Sequence, residues 1–89
     1  MRIKEGFTLR NICGEHVVVG EGLEQVNFNK IISLNDSAAW LWEQLQGKDF
    51  DDRTITYLLL QHYIVTEEQA SVDAVRLLKK WKEQGLIIQ

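Results

Sequence analysis

Ile31-Ile32-Ser33-Leu34-Asn35-Asp36-Ser37-Ala38-Ala39-Trp40-Leu41-Trp42-Glu43-Gln44-Leu45-Gln46-Gly47 is the stretch whose reading decides the fold. Its first four residues suit a strand, two of them being β-branched isoleucines. Asn35 follows at once and is a favoured helix N-cap, because its side-chain oxygen can accept a first-turn N–H. Asp36 then sits at the positive end of the helix dipole. Ala38, Leu41, Trp42 and Leu45 fall at i, i+3, i+4 and i+7, the spacing of one buried helical stripe. Gly47 is placed to stop the helix in the left-handed conformation. A strand therefore passes directly into a helix. Trp40 lies off the stripe, where it either anchors a partner or covers the strands.

Working downstream, Asp51 or Asp52 can cap a second helix running to about His62, with Ile55, Leu58, Leu59 and His62 as its apolar stripe. Thr66-Glu67-Glu68-Gln69 has the form of a capping box. It opens a third helix that ends near Gln84 with Gly85 beyond it, and its core stripe is Ala70, Ala74, Leu77, Leu78 and Trp81. Leu86-Ile87-Ile88 can fold back on the core or extend a sheet.

Working upstream, Phe7–Ile12 alternates imperfectly, and His16–Gly20 holds three consecutive valines. Cys13-Gly14-Glu15 between them reads as a tight turn, so the two runs predict a hairpin. Val26–Phe28 and Ile31–Leu34 flank Asn29-Lys30, which predicts a second hairpin with a two-residue turn. Strands first and three helices after predict a small α+β domain spanning residues 1–89. A hairpin plus three helices is also the content of a winged-helix domain, so that class stays open.

The composition excludes several functions. Of 89 residues 45% are hydrophobic and 26% charged, a globular balance. Ten basic and thirteen acidic residues give a net charge of −3, which argues against attraction of the whole domain to nucleic acid or to an anionic membrane. The longest apolar run, Ala38–Trp42, has five residues, against the ~20 of a membrane span. No signal-peptide pattern opens the chain, and Cys13, the single cysteine, is a free thiol that suits the cytoplasm.

Catalytic and metal constellations are missing. Cys13 and His16 lie three apart, but a thiol–imidazole pair wants a third, orienting group, and the two supply half of a zinc site at most. Gly20-Glu21-Gly22 lacks the Lys-Ser/Thr of a phosphate loop. His62, on an apolar stripe, reads as a core or rim residue.

The last helix carries more information. Arg76, Lys79, Lys80 and Lys82 crowd into seven positions. Cations there complement the helix dipole. At about 100° per residue, Val72, Val75, Arg76, Lys79 and Lys82 also share a side away from the core stripe, a face suited to an apolar and acidic partner. Base-edge reading of nucleic acid by this face is disfavoured, because no Asn, Gln or Ser lies within Arg76–Lys82.

The order Ile32-Ser33-Leu34-Asn35, Ala38, Leu41-Trp42, Leu45, Gly47, then Ile55, Leu59, Tyr63-Ile64-Val65, then Asp73-Ala74, Leu77-Leu78, Trp81 and Gly85-Leu86-Ile87 resembles the PqqD-like family of pyrroloquinoline quinone biosynthesis. The resemblance covers about residues 3–88. It implies a compact winged-helix-like domain with no catalysis and no cofactor. It implies a module that binds the leader segment of a ribosomally made precursor peptide and presents it to a modifying enzyme, often of the radical S-adenosylmethionine type. In that family the leader adds as a strand beside the last strand, against the third helix. The corresponding positions are Lys30, Ile31, Ile32 and Ser33 on the strand, and Val72, Val75, Arg76, Lys79 and Lys82 on the helix. Two features depart from the pattern: Trp81, where the family has leucine, and an insertion at Leu23–Phe28. A free edge at Ile31–Leu34 also predicts a monomer or a weak dimer paired through that strand.

Overall fold

A computed structural model describes residues 1–20 and 31–88. The strand expected at Val26–Phe28, the Asn29-Lys30 turn and the Leu23–Phe28 insertion lie outside the described residues. The elements in chain order are β1 (Arg2–Ile3), β2 (Phe7–Ile12), β3 (Glu15–Gly20), β4 (Ile31–Leu34), α1 (Asp36–Leu45), α2 (Asp52–His62), α3 (Glu67–Glu83) and β5 (Ile87–Ile88). This is the α+β order read from the sequence. β2, β3 and β4 form an antiparallel sheet in that spatial order, while β1 pairs antiparallel with β5.

Local chemistry explains most boundaries. Cys13 (φ 53°) and Gly14 (φ 81°) both take the left-handed conformation, as a two-residue hairpin turn that matches strand twist requires. Pairing therefore starts at Ile12↔Glu15, one residue before the strand start expected at His16. The Asn35 side chain accepts the Ala38 N–H at 2.8 Å and caps α1 as expected. α2 opens with a reciprocal capping box. The Asp51 carboxylate accepts the Thr54 N–H at 3.0 Å, and the Thr54 hydroxyl accepts the Asp51 N–H at 3.3 Å. At α3 only half of the expected box forms. Thr66 Oγ1 accepts the Gln69 N–H at 3.1 Å, but the Gln69 side chain donates to Asp73 Oδ1 at 2.9 Å instead of turning back. The helix ends in a Schellman motif, with Leu86 N–H donating to Trp81 O and Gly85 N–H to Lys82 O, and Gly85 at φ 72°.

That ending turns the chain so that Leu86 enters the core and β5 reaches β1. The apolar tail thus joins a two-stranded sheet of its own. The core gathers Trp42, Leu41 and Leu45 of α1, Ile55 and Leu59 of α2, and Ala70, Ala74, Leu78 and Trp81 of α3. Phe7, Val18 and Ile32 close it from the sheet. Two expectations change at its rim. His62 is exposed instead of lying on the buried stripe of α2. It stacks on half-buried Trp40, with ring centroids 4.0 Å apart and planes 11° apart. Trp40 therefore covers the end of α2, through His62 and the edge of Tyr63, while also packing against the core.

Candidate functional site

The sheet ends at β4. One side of β4 pairs with β3, from Val19↔Ile31 to His16↔Leu34. Its other side carries no strand among the described residues. A strand edge of this kind exposes unpaired backbone N–H and C=O groups. The pleat sends Ile32 into the core at 6% exposure and leaves Ile31 outside at 63%.

Beside that edge lies a groove of about 330 Å³, bounded by Ser33, Leu34 and Asn35 on one side and by α3 on the other. Its floor is apolar: Ala38 and Leu41 from α1, Leu59 from α2, and Leu77 and Trp81 from α3. Its α3 rim is polar: Asp73, Arg76, Lys80 and Gln84. These positions follow the i, i+3, i+4, i+7 rule from Asp73 onward, so one helix flank supplies both the rim and part of the floor. Asp73 is engaged by the Gln69 amide. Arg76 and Lys80 are exposed and make no ion pair among the described residues, so the rim presents two cations against the one Asp73 carboxylate.

Of the residues assigned from the sequence, Ser33 and Arg76 both line this groove. Ile31 and Ile32 lie on its edge strand as backbone, with their side chains outside and in the core. Lys30 lies outside the described residues. Val72, Val75, Lys79 and Lys82 are exposed but do not line the groove. At about 100° per residue they stand roughly 110–170° around α3 from the line of Leu77 and Lys80. Only one of the five assigned α3 positions, Arg76, thus faces β4 across the gap. Leu34, Asn35, Leu59, Asp73, Leu77, Lys80 and Trp81 were not assigned to the site, although each lines the groove. The signal that points to them is the border between a core stripe and its charged neighbours, where Leu77 adjoins Lys80.

Trp81 Nε1 is fully buried and has no hydrogen-bond acceptor among the described residues. Trp42 Nε1 is in the same state, but Trp42 does not line the groove.

Cys13 is exposed at the hairpin turn, and His16 Nε2 lies 3.0 Å from Asp36 Oδ1, linking β3 to the first turn of α1. Among the described residues no three His, Cys, Asp or Glu side chains cluster as a metal site, and no helix is long and apolar enough to cross a membrane.

Solved structures of similar fold include one described as lasso peptide synthetase B1 complexed with the leader peptide. It is 19% identical, with a TM-score of 0.73, covering 99% of this chain and 96% of that one. A second is TbiB1 in complex with the TbiA(beta) leader peptide, 20% identical, with a TM-score of 0.71, covering 97% of this chain and 93% of that one. At these identities the likeness is one of fold. No curated protein matches the sequence. The family model for coenzyme PQQ synthesis protein D matches residues 15–87. That match takes in β3, β4 and all three helices, and with them every described residue that lines the groove, so the chain belongs to the PqqD family.

Proposed function

We propose that this chain is a single peptide-recognition domain that binds the leader segment of a ribosomally made precursor peptide and presents it to a modifying enzyme, of the radical S-adenosylmethionine type. On this reading the domain does no chemistry itself and works in the cytoplasm. The observation that carries the reading is the unpaired edge of β4 facing the Arg76 and Lys80 side of α3 across an apolar floor. An extended peptide can add to that edge by backbone hydrogen bonds, which tolerate varied sequences. Its alternate side chains then meet the floor, while Arg76 and Lys80 favour acidic residues at the rim. Family membership and the leader peptides bound to the two neighbours of like fold support the same reading.

The test is a calorimetric titration with the N-terminal segment of a short precursor encoded beside this chain. One-to-one binding is expected. Arg76→Ala and Lys80→Ala should each weaken it by about 1 kcal/mol or less, with a shallower salt dependence, as exposed charges do. Binding that is insensitive to salt and to both substitutions would contradict the rim assignment. No binding by any such segment would contradict the function.

A further inference from the structure

The outer side of α3 carries two apolar side chains that no described residue covers. Val72 and Val75 are 46% and 53% exposed, and neither lines the groove. Glu68 lies four residues before Val72, and Lys79 lies four residues after Val75. At about 100° per residue the four side chains fall within about 60° of one another, on one stripe with the 4-3-4 spacing of a helix-pairing seam. The buried stripe of α3, Ala70, Ala74, Leu78 and Trp81, lies on the far side of the helix. Glu68 and Lys79 are exposed and make no ion pair among the described residues. Acid at the start of a helix and base toward its end complement the dipole. The dipole accounts for neither the valines nor their place midway between the two charges.

We propose that this stripe is a contact between two copies of the chain, with their α3 helices packed antiparallel about a two-fold axis that passes between Val72 and Val75.

The order of residues along the stripe selects both the occupant and its direction. A two-fold contact must be self-complementary, because the same patch serves on both sides. In the antiparallel arrangement Val72 meets the partner's Val75, and Val75 meets the partner's Val72. Glu68 then meets the partner's Lys79, and Lys79 meets the partner's Glu68, because the two charges stand at equal distances from the valines. Four valines form an apolar centre, and two pairs of opposite charge close its ends. A parallel pairing would set Glu68 against the partner's Glu68 and Lys79 against the partner's Lys79, and like charges repel. With two valines from each copy, the contact is weak. The stripe stands about 140° around α3 from the line of Leu77 and Lys80, so pairing leaves each groove open. This route is separate from strand pairing at the edge of β4.

Sedimentation equilibrium at several concentrations tests it, on the wild-type chain and on Ile31→Lys, which closes the β4 route. A reversible monomer–dimer equilibrium is expected to remain in Ile31→Lys. In that background Glu68→Lys and Lys79→Glu should each weaken it by roughly 2- to 30-fold, the range that the loss of two exposed ion pairs sets. Glu43→Lys and Lys48→Glu are exposed changes of the same sign away from α3, and each should leave it within about twofold. The decisive result is recovery. An equimolar mixture of the Glu68→Lys and Lys79→Glu chains should pair again, since every contact then joins one lysine to one glutamate. The double variant, which keeps the net charge of its parent, should pair with itself as the parent does. A chain that stays monomeric at every concentration overturns the inference, and so does a dimer indifferent to both substitutions or a double variant as weak as the single ones. Should the double variant fail to fold, the mixture decides, and no recovery in the mixture overturns the inference. Peptide binding by the groove is measured separately and stands or falls by its own titration.

Discussion

Trp42 and Trp81 meet edge to face, with ring centroids 5.4 Å apart and planes at 79°. The first comes from α1 and the second from α3, so this one contact ties the helix that follows β4 to the helix that faces it. The geometry is a favoured one for aromatic rings, edge toward face. It braces α3 against α1 beside the groove, because Trp81 is also one of the groove's lining residues.

Removing Trp42 should therefore do more than remove area. Trp42→Ala is expected to destabilise the domain by ~3–5 kcal/mol, as truncation of a fully buried aromatic does. Trp40→Ala should cost much less, since Trp40 is half-buried and stacks on an exposed histidine. Thermal or denaturant melts of the two variants check this. Equal losses would show that the two tryptophans share the core equally.

The N-terminus of α2 should respond to acid. The Thr54 backbone N–H, and then the Thr54 hydroxyl, hold the Asp51 carboxyl below its ordinary value of 3.8. A lowered folded value means that the carboxylate contributes stability above pH 3.8, and that the contribution is lost as pH falls through the lower folded value. Asp51→Asn keeps a capping oxygen but cannot titrate. The stability difference between wild type and Asp51→Asn should be constant near neutrality and should change as pH falls below about 4. A difference that stays flat from neutral pH to pH 2 would contradict the cap's electrostatic part.

The exposed edge has a consequence for association. Ile31 is exposed beside unpaired backbone, and such edges pair with one another. We expect a monomer with weak, concentration-dependent dimerisation through β4, suppressed by Ile31→Lys. Sedimentation at several concentrations measures it. A tight dimer indifferent to Ile31→Lys would place the interface elsewhere.

Much of the fold was legible because it rests on local chemistry. Asn35 followed by the Ala38, Leu41, Trp42, Leu45 spacing specifies both the start and the buried face of α1, and Gly85 marks the end of α3. β1 is not legible, and the Ile87–Ile88 tail is legible only as a choice between core and sheet, because two-residue strands have no periodicity to read. The capping box at Thr66 was half right because Gln69 had a second partner, Asp73, one turn ahead, and sequence alone does not rank the two. The groove was legible as an edge strand facing a basic helix, but which flank of α3 lines it was not. A helical wheel locates the core side of α3, yet the groove lies on one shoulder between core and solvent. Which shoulder depends on where β4 stands, a long-range fact. Val72, Val75, Arg76, Lys79 and Lys82 share the side away from the core stripe, yet of these only Arg76 lines the groove, with Leu77 and Lys80 beside it.

The central claim is that a peptide docks along β4 and against the Asp73–Lys80 flank of α3. An amide-shift titration of the labelled chain with a leader segment tests it most directly. Backbone amides of Ile31–Asn35 and of Asp73, Arg76, Leu77, Lys80 and Trp81 should shift together and saturate at one equivalent. Val72, Val75 and Lys79 should move less than their groove-facing neighbours. Shifts confined to α2 and to the Val72–Val75–Lys79 face, with β4 and the groove flank silent, would contradict the account.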